Sequence, residues 1–173
     1  MAHASGAANA ALVARFYDAL GRRDAETMAG CYAPDARFCD PVFGEIDAAG
    51  VAAMWRMLCE RGKDLRVVAS DIDADATTGR AHWVATYTFS TTGRAVLNRI
   101  DATFIFRDGH ILRHDDRFDL YRWSRQALGP KGVLMGWLPP VQNAIRAQAG
   151  KGLAAWREKK SETRASLNTP PGG

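Results

Sequence analysis

The stretch from Arg80 to Tyr121 constrains the fold most, because apolar and polar side chains alternate through three successive runs separated by tight turns. In Arg80 to Ser90, Trp83, Ala85, Tyr87 and Phe89 share one face, and His82, Val84, Thr86 and Thr88 share the other. Thr91-Thr92-Gly93 is a hairpin turn, and Ala95 to Arg107 is the next strand. Asp108-Gly109 is a second hairpin turn, leading into a strand over Ile111 to Tyr121. Leu65 to Ile72 reads as a further strand ahead of these. The pattern predicts an antiparallel meander.

Helical periodicity comes first in the chain. Leu12, Phe16 and Leu20 recur every four positions, with Val13 and Tyr17 beside them, which predicts a helix over 7–20 ended by Gly21. Asp24 is placed to cap a short helix reaching about Tyr32, and Ala33-Pro34-Asp35 ends it. A short strand, Ala36 to Cys39, and a turn at Pro41 and Gly44 follow. Ala48 to Arg61 is a third helix, with Val51, Met54, Trp55 and Leu58 on one stripe. Helices followed by a meander predict an α+β fold, with the helices against one face of a curved sheet. Beyond it, Ser124 to Leu128 reads as a helical turn, and Val133 to Leu138 is an apolar patch without a clear period. Pro140 opens a helix to about Lys160, weakened by Gly150 and Gly152. The polar end, Ser161 to Gly173, is expected to be disordered. The expected organisation is a domain over 1–123, a helical extension over 124–160 and a tail over 161–173.

Composition excludes several function classes. Of 173 residues, 47% are hydrophobic and 24% charged, which fits one globular domain with a real core. The net charge of +4 is modest, and no basic stripe interleaved with aromatics points to nucleic acid. Arg157-Glu158-Lys159-Lys160 reads as a solvated helix face. Cys31, Cys39 and Cys59 have no metal-like spacing, so packed thiols in a reducing cytoplasm are expected, with no metal and no cofactor. No apolar run reaches a membrane span, and Met1 to Asn9 does not read as a signal peptide.

Two aspartates stand in apolar strand segments: Asp40 in Arg37-Phe38-Cys39-Asp40-Pro41-Val42, and Asp101 in Ile100-Asp101-Ala102-Thr103-Phe104. A half-buried carboxyl without a partner is pushed toward its neutral form. Two carboxyls meeting in one cavity can divide into a base and a proton-holding donor. For Asp40 the plainer alternative is an Asx-turn around Pro41. For Asp101 it is an ion pair with Arg99, His114 or a helix arginine. Asp116 and His114 share a face of the last strand, either as a relay or with Asp116 in a salt bridge to Arg37 or Arg99.

These segments resemble the nuclear-transport-factor-like superfamily over about residues 8–123, a group that includes ketosteroid isomerase, SnoaL-like polyketide cyclases and limonene epoxide hydrolase. Ala14-Arg15-Phe16-Tyr17-Asp18-Ala19-Leu20 is similar to the isomerase's first helix, and Tyr32 to Val42 to its base-bearing segment. The resemblance places Asp40 on the base and Asp101 on the protonated acid. It puts Phe16 where the isomerase carries an oxyanion-hole tyrosine; Tyr17 is about 100° further around the helix, and Tyr87 could donate instead. Asp116 falls on one catalytic aspartate of the epoxide hydrolase, but Ala85 and Tyr87 replace that enzyme's Arg and Asp.

The resemblance therefore implies a cone-shaped fold and a cofactor-free acid–base enzyme of isomerase or cyclase type. Asp40, Asp101, Asp116, Tyr87 and His114 would act on an apolar carbonyl compound. Phe16, Tyr17, Trp55, Trp83, Phe89 and Phe118 would line its pocket, or else form ordinary core. Phe104 and Phe106 are expected to face outward, which, with the resemblance, suggests a homodimer. The alternatives are a non-catalytic domain that binds an apolar small molecule or a protein, and a structural dimer with a filled core.

Overall fold

The structure of the protein, a computed structural model, describes residues 2–167. Helix α1 (Ala2–Arg22) buries the expected stripe of Leu12, Val13, Phe16, Tyr17 and Leu20. Asp24 caps α2 (Ala25–Ala29), its carboxylate accepting the Thr27 amide at 3.0 Å. That helix stops earlier than expected, and Tyr32 opens strand β1 (Tyr32–Asp40). Pro34 lies inside the strand, where the register shifts between Tyr32 and Arg37. Such an irregularity accommodates a residue with no amide hydrogen to give. The turn at Pro41 leads into a short strand, β2 (Gly44–Asp47), paired antiparallel to β1. Asp47 then caps α3 (Ala48–Arg61) through the Gly50 amide at 2.8 Å.

Strands β3 (Arg66–Ala74), β4 (Thr78–Phe89), β5 (Arg94–Arg107) and β6 (His110–Arg117) form the meander. Asp108 and Gly109 both have positive φ, 51° and 72°, which a two-residue hairpin turn requires. The six-stranded sheet has the order β2-β1-β6-β5-β4-β3. One pairing departs from an all-antiparallel sheet: β1 runs parallel to β6. The long connection between these strands frees them from hairpin geometry.

Strand β5 corrects the expected facing. Val96, Ile100, Ala102, Phe104 and Phe106 point into the core, so Asp101, Thr103 and Ile105 point out. The period-two burial of the bulky side chains fixes this parity.

After β6, Asp119 caps α4 (Leu120–Leu128), ending the strand sooner than expected. Two further helices follow, α5 (Pro130–Met135) and α6 (Pro139–Leu167). Helix α6 passes through Gly150 and Gly152 and continues beyond Lys160, so residues 161–167, expected to be disordered, are helical. The rest of the expected tail, 168–173, lies outside the described residues. Among the described residues no helix is long and apolar enough to cross a membrane. The main core lies between α1, α3 and the inner sheet face. A smaller cluster of Val96, Leu120, Trp123 and Ala127 packs with Tyr87, Phe89, Val42 and Ile145.

Candidate functional site

Asp40 and Asp101 do not meet. Asp101 stands on the outer sheet face with its side chain 80% exposed, and its carboxylate contacts His82 Nδ1 at 2.8 Å across the β4–β5 pair. It is a cross-strand hydrogen-bond partner of His82, not an acid inside the cone. The acid inside is Asp116, 5% exposed on the inner face of β6.

Asp116 ends a buried chain of hydrogen bonds. Trp55 Nε1 donates to the Tyr32 hydroxyl at 3.1 Å, and Tyr32 Oη lies 2.7 Å from His114 Nδ1. His114 Nε2 lies 3.0 Å from Asp116 Oδ1, which also accepts from Trp83 Nε1 at 3.2 Å. One proton arrangement satisfies every group: Tyr32 donates to Nδ1 while the Nε2 proton goes to Asp116. His114 has no exposed surface and sits among Phe104, Phe38 and Phe16, with centroids 4.4, 5.1 and 5.5 Å away. The alternative salt bridge from Asp116 to Arg37 does not form; Arg37 reaches Glu45 at 3.8 Å instead. Tyr32, which sequence reasoning assigned to a helix end, is a full member of this network. The only hint was its alternation with Phe38 across Pro34, obscured by the register shift.

Asp40 sits at the end of β1, half-buried. Phe38 pairs with His114 and Cys39 with Asp115, so Asp40 and Asp116 are the next neighbours along the same face. Asp40 Oδ1 accepts the amides of Val42, at 2.8 Å, and Phe43, so the Asx-turn around Pro41 is present. Burial nevertheless pushes its carboxyl up to about 6, with Asp116 adding to the rise. The two amides and His114 oppose the shift without cancelling it. The turn and an acid–base role are therefore compatible in one side chain.

Two phenols flank these carboxyls. Tyr87, half-buried, accepts the Trp123 indole N–H at 2.8 Å, leaving its own proton to donate. Burial raises its pKa, and Asp40 raises it further. Tyr17 is 3% exposed and packs against Phe16, Trp83 and Phe104. Its hydroxyl has no hydrogen-bond partner, the one such buried side-chain group among the described residues. Burial, then Asp116, hold its pKa well above the phenol range, so it stays a donor. The helix brings Phe16 and Tyr17 both into the interior, although the sequence argument separated them by their angle.

Of the expected pocket side chains, Phe16, Tyr17, Trp55 and Trp83 are buried and Phe89 and Phe118 half-buried. Two surface concavities, of about 260 and 460 Å³, are not lined by any of them. The C-terminal helices reach the turn after Asp40: Val42 and Ile145 pack on the cluster of Val96, Leu120, Trp123 and Ala127, and Arg146 Nε donates to the Pro41 carbonyl at 3.0 Å. Among the described residues no three His, Cys, Asp or Glu side chains group as metal ligands would.

A search of curated proteins finds no match. Among solved structures, a proposed polyketide cyclase from Xanthomonas campestris pv. campestris superposes with a TM-score of 0.57 at 23% identity, over 71% of this chain and 98% of that one. An M. tuberculosis LEH-like epoxide hydrolase gives 0.58 at 19% identity, over 78% and 98%. An NTF2-like protein of unknown function from Burkholderia pseudomallei gives 0.62 at 20% identity, over 69% and 97%. At such identities the likeness is one of fold. The SnoaL-like domain family matches residues 13–114, from the inward stripe of α1 to the buried histidine of β6, and the chain belongs to that family.

Proposed function

We propose that the protein is an acid–base enzyme of cyclase or isomerase type, acting without a cofactor on an apolar carbonyl compound. The observation that carries this reading is the inner-face juxtaposition of half-buried Asp40 with Asp116 and His114. Asp40 takes a proton from the carbon next to the carbonyl. The C–H pair moves into an enolate, whose oxygen gains negative charge. Tyr87 and the unpartnered Tyr17 hydroxyl supply donors to that oxygen, in the role first expected of Asp101. The enolate carbon then either recovers the proton from Asp40 at another position, or attacks a second carbonyl to close a ring, the π pair moving to that oxygen, which takes the proton from Asp40. The His114–Asp116–Tyr32 network holds the donor side rigid. Substrate enters beside the turn after Asp40, where Val42, Ile145 and Trp123 must part.

The test is solvent deuterium incorporation next to the carbonyl in a panel of bicyclic ketones, with binding of 2-naphthol as an enolate mimic. Wild-type protein should exchange, and Asp40→Asn should lose about 100-fold or more. No exchange above buffer and no naphthol binding would sink the reading. One observation favours a second reading, a structural domain with a filled core: Phe16 packs with Tyr17, Trp55 and Tyr32 at 5.2, 5.4 and 5.7 Å. It predicts neither naphthol binding nor exchange.

We further propose a homodimer formed through the outer sheet face. Phe104 and Phe106 contribute nothing to it, since they point inward. Exposed Val68, Leu97 and Ile105 support it instead. The three free thiols favour a reducing, cytoplasmic setting.

A further inference from the structure

The segment from Leu120 to Arg157 contains no aspartate or glutamate, yet holds Arg122, Arg125, Lys131, Arg146, Lys151 and Arg157. Within it lies the largest group of exposed apolar side chains among the described residues: Leu134 at 73%, Trp137 at 59%, Val133 at 46% and Met135 at 44%. They belong to α5 and the turn after it and form an exposed apolar knob. The 460 Å³ concavity beside the knob is lined by Arg94, Arg125, Gly129, Pro130, Val133 and Leu134. It joins cations to apolar surface and includes no acid.

The knob is built, not loose. Glycines let α5 lie directly on α4: a Cβ at Gly132 would fall 2.0 Å from the Ser124 carbonyl oxygen, and one at Gly136 2.0 Å from the Ser124 hydroxyl. The Tyr121 hydroxyl donates to the Val133 carbonyl at 2.9 Å, and Trp137 Nε1 to the Leu134 carbonyl at 3.2 Å. Arg94 is held across Gly129 by donating Nε to the Gln126 carbonyl at 2.8 Å, and Arg125 lies over the Tyr121 ring. Neither arginine pairs with an acid among the described residues.

We propose that this knob is a docking site for a bilayer containing anionic phospholipid. Leu134, Val133 and Met135 enter the acyl boundary, and Trp137 sits at headgroup level. Arg94 and Arg125 hold the phosphate of one headgroup in the concavity, and Lys131 adds to the field. Charge complementarity selects this occupant. A second copy would bring an identical cationic patch, so an isologous contact here sets like charges face to face. An exposed apolar knob with arginines beside it fits a lipid surface, as docking requires no spanning helix. The inference is independent of the proposed chemistry at Asp40.

Flotation with phosphatidylcholine vesicles, with and without phosphatidylglycerol, tests it on the full chain. Binding is expected only to the anionic vesicles and should weaken as salt rises. The pair Arg94→Gln and Arg125→Gln should lower partitioning roughly 25-fold, about fivefold per cation. Leu134→Asp with Trp137→Asp should abolish binding, while naphthol binding and the circular dichroism spectrum stay unchanged because all four sites are exposed. Failure to bind anionic vesicles at low salt would overturn the proposal. So would equal binding to neutral vesicles, or binding that survives both double variants. A knob variant that instead splits an oligomer in light scattering would assign the surface to a protein partner and overturn it too.

Discussion

Asp40 meets two opposed demands, and its pH dependence exposes the conflict. Its carboxyl lies near 6 in the fold against 3.8 in a free chain, so the folded protein holds that proton more tightly. Stability therefore falls as pH rises from about 4 to about 6 and remains at the lower level above, by up to about 3 kcal/mol. Asp40→Asn keeps an oxygen for the Val42 and Phe43 amides but has no charge to desolvate. The variant should gain about 1–3 kcal/mol at pH 8 and little at pH 4, read from urea melts at both values. Activity should run the other way, rising with pH through about 6 in the wild type as the base ionises. Tyr17→Phe makes a similar trade: deleting an unpaired buried hydroxyl should cost no stability, and gain up to about 1 kcal/mol, while naphthol binding weakens. A drop in stability would show that the hydroxyl has a structural partner. Asp116→Ala strands the donors of His114 and Trp83 and should lower stability by about 2–4 kcal/mol in a thermal melt. Among these side chains, Asp40 was legible as a carboxyl in an apolar segment, and His114 and Asp116 as polar residues sharing one face of the last strand. Asp101 was misread because motif likeness was set above the alternation of Ile100, Ala102, Phe104 and Phe106, which decides which face any β5 residue takes.

The elements that the sequence showed plainly are those with a strong period. Helix α1, helix α3 and strands β4 and β5 came through within a few residues, since their buried faces recur every three to four or every two positions. Helix α5 did not, because six residues with two glycines close by carry no period. Its position is set by close approach to α4 at Ser124, a contact that no one-dimensional pattern records. Gly132→Ala should accordingly cost about 1–3 kcal/mol, or detach α5, where Gly150→Ala in α6 should be neutral or stabilising because nothing stands within 4 Å of its Cβ. Thermal melts of the two variants make the comparison. Helix α6 meets the β1–β2 turn through Arg146 and through the cluster that Ile145 shares with Val42, so Arg146→Ala should loosen the cover over Asp40 with little global effect. Faster amide exchange at Val42 and Phe43 would show it, and unchanged exchange would mean that the cover rests on packing alone.

At the scale of the molecule, the sequence conveyed the class of fold but not how the sheet closes. A meander announces itself through its turns; the pairing of β1 with β6 depends on strands that share no turn. That pairing assembles the site, since Phe38 and Asp40 come from one strand and His114 and Asp116 from the other. If the proposed homodimer forms through the outer face, Leu97→Asp should dissociate it in light scattering without unfolding the subunit, as Leu97 is exposed. The parallel seam also governs when the site can exist. Tyr32 and His114, hydrogen-bonded in the core, are 82 residues apart in sequence, so their meeting closes one of the longest loops in the chain. During synthesis, Asp40 waits on a strand whose neighbour emerges after almost all the rest of the sheet. Folding of such non-local topology is slow, and recovery of naphthol binding after dilution from urea should coincide with the last folding phase, never precede it.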